Sequence, residues 1–251
     1  MADAEALRIA SPFDFESQAL LYLPAGMPEP TSPGYVESVI TACVPLLEAS
    51  AGGAFILFTS HRALAQGAAV LRARWDGAAL VPILVQGEGP REKLLRDFRE
   101  HGNAVLLGTA SFWEGVDVVG DQLSLVIIDK LPFAPPDDPV LKARIRRAKI
   151  KGDDVFGQWQ LPQAAMSLKQ GAGRLIRSES DVGLLVVCDE RLVTRGYGKA
   201  LLRSLPGFPL IRDAMDAMEF LTKTSADGNL PTPQQVATPS RADRELNRKG
   251  S

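Results

Sequence analysis

The sequence turns from apolar to polar within Leu106-Leu107-Gly108-Thr109-Ala110-Ser111-Phe112-Trp113-Glu114-Gly115-Val116-Asp117. In an open α/β sheet, ligands bind in the crevice beyond the carboxyl ends of the strands. The stretch therefore predicts a buried strand whose carboxyl end carries a ligand-binding loop. Phe55 to Phe58 runs in the same way into Thr59 and Ser60, which predicts a second strand end with hydroxyl groups.

Six short apolar runs predict strands, and most are continuously apolar, as expected where helices cover both faces of a sheet. They are Leu20 to Leu23, Phe55 to Phe58, Leu80 to Val85, Ala104 to Leu107, Leu123 to Ile128 and Gly183 to Val187. Helical patterns separate them, and the clearest are Tyr35 to Ala49, Arg62 to Trp75 and Arg91 to Glu100. The alternation predicts an α/β fold with a doubly wound, mainly parallel sheet and right-handed crossovers.

The size and charge of the chain fit one such domain. With 251 residues and 45% hydrophobic content it can bury a substantial core, and its net charge of −2 neither recruits nor excludes nucleic acid. Cys43 and Cys188 lie in apolar segments, which is typical of reduced, buried thiols in a cytoplasmic protein. There is no signal-peptide pattern and no run of about eighteen apolar residues, so we expect neither export nor a membrane span.

Composition divides the chain near residue 222. We expect residues 1–222 to form one domain and residues 223–251 to form a flexible tail. The tail contains Pro231, Pro233 and Pro239 and no aromatic residue, so it cannot bury enough apolar surface to order itself. Before this boundary, Met166, Met215 and Met218 lie on apolar helical faces and are expected in the core.

The most informative polar motif is Gln170-x-x-Gly173-Arg174-x-x-Arg177, at the end of a predicted helix. At that spacing two guanidinium groups lie on one helical face, where both can reach the same polyphosphate. Arginine suits phosphate because its planar fork binds oxygens bidentately and stays charged. Gly173 would let the helix approach neighbouring backbone closely. The alternative is a basic turn that only caps a helix C-terminus.

The densest basic segment is residues 142–151, which contain no acid. Asp138-Pro139 predicts the start of a helix, and Arg144 and Arg147 belong to its charged side. Two interpretations stay open. The helix is either a phosphate-tracking surface for single-stranded DNA or a solvated helical face.

Taken in order, the Thr59-Ser60 strand end, the 106–117 loop and the Gln170 to Arg177 motif resemble motifs IV, V and VI of superfamily 2 helicases. Ser-Phe-Trp-Glu-Gly-Val-Asp and Gln-x-x-Gly-Arg-Leu-Ile-Arg are similar to the DinG/XPD branch, and the run Leu-Pro-Gln-Ala-Ala-Met before the last motif resembles its bacterial members. The resemblance covers roughly residues 10–222. Helicases of this branch have two RecA-like domains, and this chain resembles the second alone, because it contains no Gly-x-x-x-x-Gly-Lys-[Ser/Thr].

The resemblance implies roles for individual residues. Arg174 and Arg177 would reach the γ-phosphate of ATP bound to the first domain, and Gln170 would position water or phosphate. The implied nucleotide-binding residues are Glu114, Gly115, Asp117 and Gly173, and the implied DNA-binding residues are Thr59, Ser60, Thr109, Arg144 and Arg147. Hydroxyl groups at strand ends also satisfy local backbone, and acids also cap turns, so those alternatives stay open.

ATP and Mg²⁺ are the implied cofactors, shared with a first domain that carries the P-loop. The iron-sulfur cluster of many relatives could lie only outside this chain, because two cysteines cannot supply it. Asp189 and Glu190 follow a strand, as an acidic magnesium motif would, but without a P-loop we expect Asp189 to cap or hydrogen-bond locally. His61 and His101 stand singly, so we expect no metal site.

The leading hypothesis is the C-terminal motor domain of a 5′ to 3′ DNA helicase of repair and replication, inactive as an ATPase on its own. Its implied partners are single-stranded DNA, the first RecA-like domain and a replication or repair protein bound by the tail. One alternative is a non-catalytic RecA-like module that docks such a protein. Another is a self-sufficient nucleotide-binding α/β enzyme, although no phosphate-binding glycine loop follows any predicted strand.

Overall fold

The computed structural model describes residues 13–75, 81–109, 123–134 and 138–226, which form an α/β fold around one sheet. Its strands are β1 (Ala19–Tyr22), β2 (Ala54–Phe58), β3 (Ile83–Val85), β4 (Val105–Thr109), β5 (Leu125–Ile128), β6 (Gly183–Val187) and β7 (Leu210–Ile211). They pair in parallel in the order β3-β4-β2-β5-β6-β1-β7. The predicted parallel sheet is confirmed.

The helices cover both faces of this sheet. They are α1 (Phe15–Gln18), α2 (Tyr35–Ala49), α3 (His61–Arg74), α4 (Arg91–His101), α5 (Pro139–Lys151), α6 (Leu161–Ala172), α7 (Arg191–Thr194), α8 (Gly198–Ser204) and α9 (Ala214–Ala226). Alternate strand residues face opposite sides, and each side is buried. α2, α3 and α9 pack on one face, and α4, α6 and α8 pack on the other, so the doubly wound arrangement is also confirmed.

The C-terminal part of the described chain differs from the sequence-based prediction in two elements. The two-residue strand β7 was not predicted, because Leu210–Ile211 is too short to show a period. α9 runs to Ala226, four residues beyond the expected boundary, and it buries Ala217 and Leu221. The rest of the predicted tail, residues 227–251, lies outside the described residues.

Two of the three methionines expected in the core are on the surface. Met166 is 63% exposed and Met215 is 68% exposed, whereas Met218 packs against the α2 face. The two cysteines, by contrast, are fully buried free thiols, as predicted. None of the helices in this part of the chain has the length and apolar character that a membrane span requires.

The parallel strands give the sheet two different edges. At the carboxyl edge, β2, β4, β5 and β6 end at Phe58, Thr109, Ile128 and Val187. At the amino edge the chain enters β1, β5 and β6 through Gln18, Ser124 and residue 182. The candidate functional residues divide between these two edges.

Candidate functional sites at the two edges of the sheet

The Gln170 to Arg177 motif forms the end of α6 and the turn after it. α6 ends at Ala172, and the Arg174 N–H donates to the Gly171 carbonyl at 3.1 Å within the turn. The expectation that both arginines share a helical face is therefore wrong, because the helix ends before either of them.

Two buried residues instead hold the arginines apart. Leu175 and Ile176 are 0% and 3% exposed and belong to the core on the α6 side of the sheet. Arg174 and Arg177 flank this pair and are both half-buried. Burial of the apolar pair thus fixes the backbone from which the two guanidinium groups extend. We call residues 174–177 the arginine turn.

Close packing against a glycine occurs at Gly183 rather than at Gly173. Gly173 has an ordinary helical φ of −69°, and the nearest atom to a Cβ there would be Lys169 O of the same helix, at 3.2 Å. A Cβ on Gly183 would lie 2.4 Å from Leu175 Cδ1 and 2.8 Å from Ser124 O. Gly183 therefore makes room for Leu175, which places the arginine turn at the amino edge, where β5 and β6 begin.

A buried carboxylate closes the loop that follows Arg177. Asp181 is 6% exposed, and its Oδ2 accepts the backbone N–H groups of Arg177 at 2.7 Å and Ser178 at 2.9 Å. Its Oδ1 accepts the Ser178 hydroxyl at 2.7 Å. Gln18 Nε2 donates to the carbonyls of Ser178 at 2.8 Å and Asp181 at 3.0 Å. The β1–β6 register, with Ala19 opposite Gly183, brings Gln18 to this loop.

The other predicted nucleotide-binding residues are only partly described. Gln170 is exposed in the last turn of α6, close in sequence to Arg174. Glu114, Gly115 and Asp117 lie outside the described residues. Thr109 lies at the carboxyl edge and Leu123 at the amino edge, and the three residues fall between them in sequence.

At the carboxyl edge, the predicted hydroxyl groups adjoin one another but differ in access. Phe58 of β2 pairs with Thr109 of β4. Ser60 is exposed and caps α3 by accepting the Ala63 N–H at 3.2 Å, while Thr59 is half-buried. Thr109 is 6% exposed, and its hydroxyl bonds Gln86 Oε1 at 3.1 Å. Thr59 and Ser60 are therefore accessible to a ligand, whereas the Thr109 hydroxyl serves local structure.

Asp129, which the sequence analysis did not select, fixes the Thr59 loop. Its Oδ1 accepts the N–H groups of Thr59 at 3.1 Å and Lys130 at 2.8 Å. Its Oδ2 is buried without a hydrogen bond, 3.4 Å from Lys130 Nζ. Burial raises the pKa of Asp129 from 3.8 to about 6, although the nearby Lys130 ammonium opposes the rise. The side chain is 0% exposed, so its negative charge is costly at neutral pH.

Asp129→Asn should therefore gain about 1–3 kcal/mol of stability relative to the wild type between about pH 4 and about pH 8. The amide oxygen can still accept both N–H groups, and no charge is buried. The new NH₂ group would face Lys130 Nζ without an acceptor, a cost that is the same at every pH. For an acid whose folded-state pKa is raised, the stabilising contribution is present below about pH 4 and is lost as the pH rises through about 6. Chemical denaturation at several pH values should show the advantage of the variant growing across this window.

Asp213→Asn is the matched control, because Asp213 also accepts backbone N–H groups but is exposed. This substitution removes no buried charge, so it should not reproduce the gain in stability expected of Asp129→Asn. A difference in stability between wild type and Asp129→Asn that stays constant across pH would rule out burial of a charge at Asp129.

α5 carries the predicted basic surface. Asp138 caps it by accepting the Leu141 N–H at 2.6 Å, with Pro139 in the first turn, which confirms the predicted start. Leu141 is 3% exposed and faces inward. Arg144 and Arg147 are exposed and form no ion pair with any acid in the described part of the chain. Their charges are available to an anionic ligand.

Beside α5 lies a groove of about 600 Å³. Its lining includes Val140, Arg144, Arg147, Asp153, Gln158 and Trp159. The Arg144 guanidinium lies 4.6 Å from the centre of the Trp159 ring, a cation–π contact that orients it. Trp159 belongs to a π-helical turn, Phe156–Gln160, which directly precedes α6. Such turns are frequent at functional sites.

The groove belongs to the carboxyl side of the sheet. Phe156, at the start of the π-helical turn, lies 5.5 Å from Phe133 and 5.2 Å from Tyr197, measured between ring centres. Phe133 and Tyr197 follow the carboxyl ends of β5 and β6. The basic groove and the Thr59-Ser60 loop therefore share the edge opposite to the arginine turn.

Asp189 has the structural role expected of it. It is 1% exposed, and its carboxylate accepts the Leu131 N–H at 2.9 Å and pairs with Arg191, with Nη2 to Oδ2 at 2.6 Å. Tyr35 links the carboxyl ends of β5 and β6, because its hydroxyl lies 2.7 Å from Asp129 O and 2.6 Å from Cys188 O. Among the described residues, no three His, Cys, Asp or Glu side chains are grouped to hold a metal ion.

Comparisons with known proteins agree with this architecture. Residues 43–208 match the family described as Helicase C-terminal domain. The chain is 48% identical to the ATP-dependent DNA helicase YoaA of Escherichia coli over 89% of its own length and 34% of that protein. It is 38% identical to the ATP-dependent helicase DinG of Mycobacterium tuberculosis over 80% of its length and 30% of that protein. The chain thus spans about a third of these relatives.

A solved XPD helicase shares the fold, with a TM-score of 0.60 and 20% identity over 78% of this chain and 35% of that one. Motif order, sheet topology and sequence identity point to one family. This chain belongs to the helicase C-terminal domain family, with a RecA-like fold and DinG- and YoaA-type DNA helicases as its relatives.

Proposed function

We propose that this chain is the second motor domain of an ATP-dependent 5′ to 3′ DNA helicase that acts in the cytoplasm in repair or replication. The observation that carries the proposal is the arginine turn, whose two arginines flank the buried pair Leu175 and Ile176 at one edge of the sheet. A first RecA-like domain with a P-loop would hold ATP and Mg²⁺ against this edge. Any iron-sulfur cluster would also belong outside this chain.

In this proposal Arg174 and Arg177 stabilise the charge that develops on the γ-phosphate during transfer. Half-burial suits that task, because partial exclusion of water strengthens their electrostatic effect while leaving them accessible. Gln170 positions the attacking water or a phosphate oxygen, and Glu114, Gly115 and Asp117 contribute from the sequence between β4 and β5. Because the arginines and the P-loop lie on different domains, ATP binding closes the cleft between them.

DNA would bind at the opposite edge. Strands of four or five residues separate the two edges by about 13–17 Å, at about 3.3 Å per residue. The Ser60 hydroxyl, the Thr59 loop and the arginines of α5 can contact backbone phosphates, which positions a strand without reading its sequence. A packed sheet moves as one body, so closure at the amino edge would displace the DNA contacts by a similar rotation.

Binding of single-stranded DNA should depend strongly on salt and little on sequence. Arg144→Glu with Arg147→Glu should lower the affinity and reduce the slope of log affinity against log salt by about 1.4, the value for two lost phosphate contacts. Fluorescence anisotropy with labelled oligonucleotides of several sequences measures both effects. Lys199→Glu with Arg203→Glu changes the net charge equally on a different helix, and both residues are exposed. If the slope of log affinity against log salt is the same for the two double variants, the arginines of α5 do not contact DNA and α5 is a solvated helical face.

The ATP half of the proposal is tested in a two-domain protein. We define the joined helicase as Escherichia coli YoaA in which this chain replaces the matching third. Joined helicases are first selected for ATP hydrolysis that single-stranded DNA stimulates. Substitutions in the arginine turn then report on the contribution of this chain alone.

A further inference from the structure

We infer that Asp181 is a positioning residue for Arg177, and that Gln18 holds Asp181 and its loop in place. The inference rests on the proposed function of the arginine turn. Asp181 itself faces backbone groups and the Ser178 hydroxyl. It would therefore act on the reaction through Arg177 and not by direct contact with nucleotide.

The charge of Asp181 strengthens the three hydrogen bonds that it accepts. Two backbone N–H groups converge on Oδ2 and one hydroxyl on Oδ1. Bonds to an ionised acceptor are about twice as strong as neutral ones. Asparagine keeps one oxygen for the two N–H groups, but this oxygen is uncharged. Its NH₂ group would face the Ser178 hydroxyl, which would have to accept instead of donate. Asp181→Asn should therefore hold the loop less firmly, because the bonds from the two N–H groups lose the contribution of the charge.

The loop fixes the backbone of Arg177 from its C-terminal side. On the N-terminal side, Ile176 is anchored in the core at 3% exposure. Arg177 is thus held between an apolar anchor and a polar one, and its half-buried side chain begins from a defined position. A misplacement of about 1 Å in a catalytic group can cost about 10²-fold in rate, so a small shift of this loop is enough to slow hydrolysis.

Gln18 ties the same loop to a second strand. Its Nε2 donates to both Ser178 O and Asp181 O, while its Oε1 is buried without a hydrogen-bond partner. A buried oxygen without a hydrogen-bond partner is unfavourable. The contribution of Gln18 to the loop therefore comes from its amide N–H groups. Leucine has a similar size and no donor. Gln18→Leu should therefore loosen the loop without removing the Asp181 contacts.

The experiment is a double-mutant cycle in the joined helicase, measured as kcat for ATP hydrolysis with single-stranded DNA at saturation. Arg177→Ala should lower kcat about 10³-fold or more, and Asp181→Asn should lower it about 10- to 100-fold. In the Arg177→Ala background, Asp181→Asn should cause no further loss beyond about twofold. Gln18→Leu and Ser178→Ala should show smaller losses that also vanish in that background.

Asp213→Asn is the matched control, since it removes a carboxylate that accepts backbone N–H groups at α9 and should leave kcat unchanged. Thermal unfolding of the isolated chain separates stability from positioning. Should Asp181→Asn fail to fold, Ser178→Ala and Gln18→Leu carry the same cycle.

The outcomes separate the two ideas. If Arg177→Ala leaves kcat intact, the proposed function fails. If Arg177→Ala lowers kcat but the effects of Asp181→Asn, Ser178→Ala and Gln18→Leu persist in that background, the positioning role fails while the arginine role stands. Losses of kcat that occur only in proteins that retain Arg177, and vanish in Arg177→Ala, support the inference, whatever the change in melting temperature.

Discussion

Arg177→Lys in the joined helicase is expected to slow ATP hydrolysis about 10³-fold or more, the scale of a lost arginine finger. Lysine keeps the positive charge but has one ammonium in place of the planar fork, so it cannot bind two phosphate oxygens at once. The effect should fall on kcat, because the interaction is proposed to strengthen in the transition state. Arg174→Lys should act in the same direction, with a larger loss of nucleotide-driven closure.

Binding of single-stranded DNA without nucleotide should be nearly unchanged in both variants, because the DNA contacts are proposed at the other edge of the sheet. Arg203→Lys, at an exposed position of α8, is the matched control and should retain full hydrolysis. If the arginines only capped α6, lysine would be tolerated and stability would shift by a few tenths of a kcal/mol. Retained hydrolysis in both variants would therefore overturn the nucleotide assignment.

Much of the fold could be predicted from local sequence. Continuously apolar strands indicate a sheet covered on both faces, and the confirmed strand β6 buries all of Gly183–Val187. α2 spans Tyr35–Ala49, as its helical period predicts, and Asp138 caps α5 as its position before Pro139 predicts. These features depend on residues within one turn or one strand of each other, so the sequence shows them directly.

The arrangement around the arginines could not be predicted in this way. Helical spacing favours a shared face for Arg174 and Arg177, but α6 ends at Ala172, before either arginine. Gln18 and Asp181 meet across 163 positions of sequence, because β1 pairs with β6. The sequence does contain one signal, because Asp181 lies four residues after Arg177 and just before a predicted strand. Only the strand order shows that Gln18 supports it.

At the carboxyl edge, too, the sequence alone could not predict which polar side chains are accessible. The sequence does not distinguish the three hydroxyl residues Thr59, Ser60 and Thr109. In the structure, the Thr109 hydroxyl donates a hydrogen bond to Gln86, whereas Ser60 is exposed. Asp129 follows the apolar run Leu125–Ile128, and that position is a signal for a functional or structural acid. Whether such an acid is buried depends on its neighbours, here Tyr35 and Lys130.

The central claim is that this chain contributes one half of an ATP site, and steady-state ATP hydrolysis tests it most directly. The chain alone and the joined helicase are compared, each with and without single-stranded DNA. We predict no turnover above background by the chain alone and DNA-stimulated turnover by the joined helicase, because only the latter combines a P-loop with the arginine turn. Turnover of about 1 s⁻¹ or more by the repurified chain alone would contradict the claim.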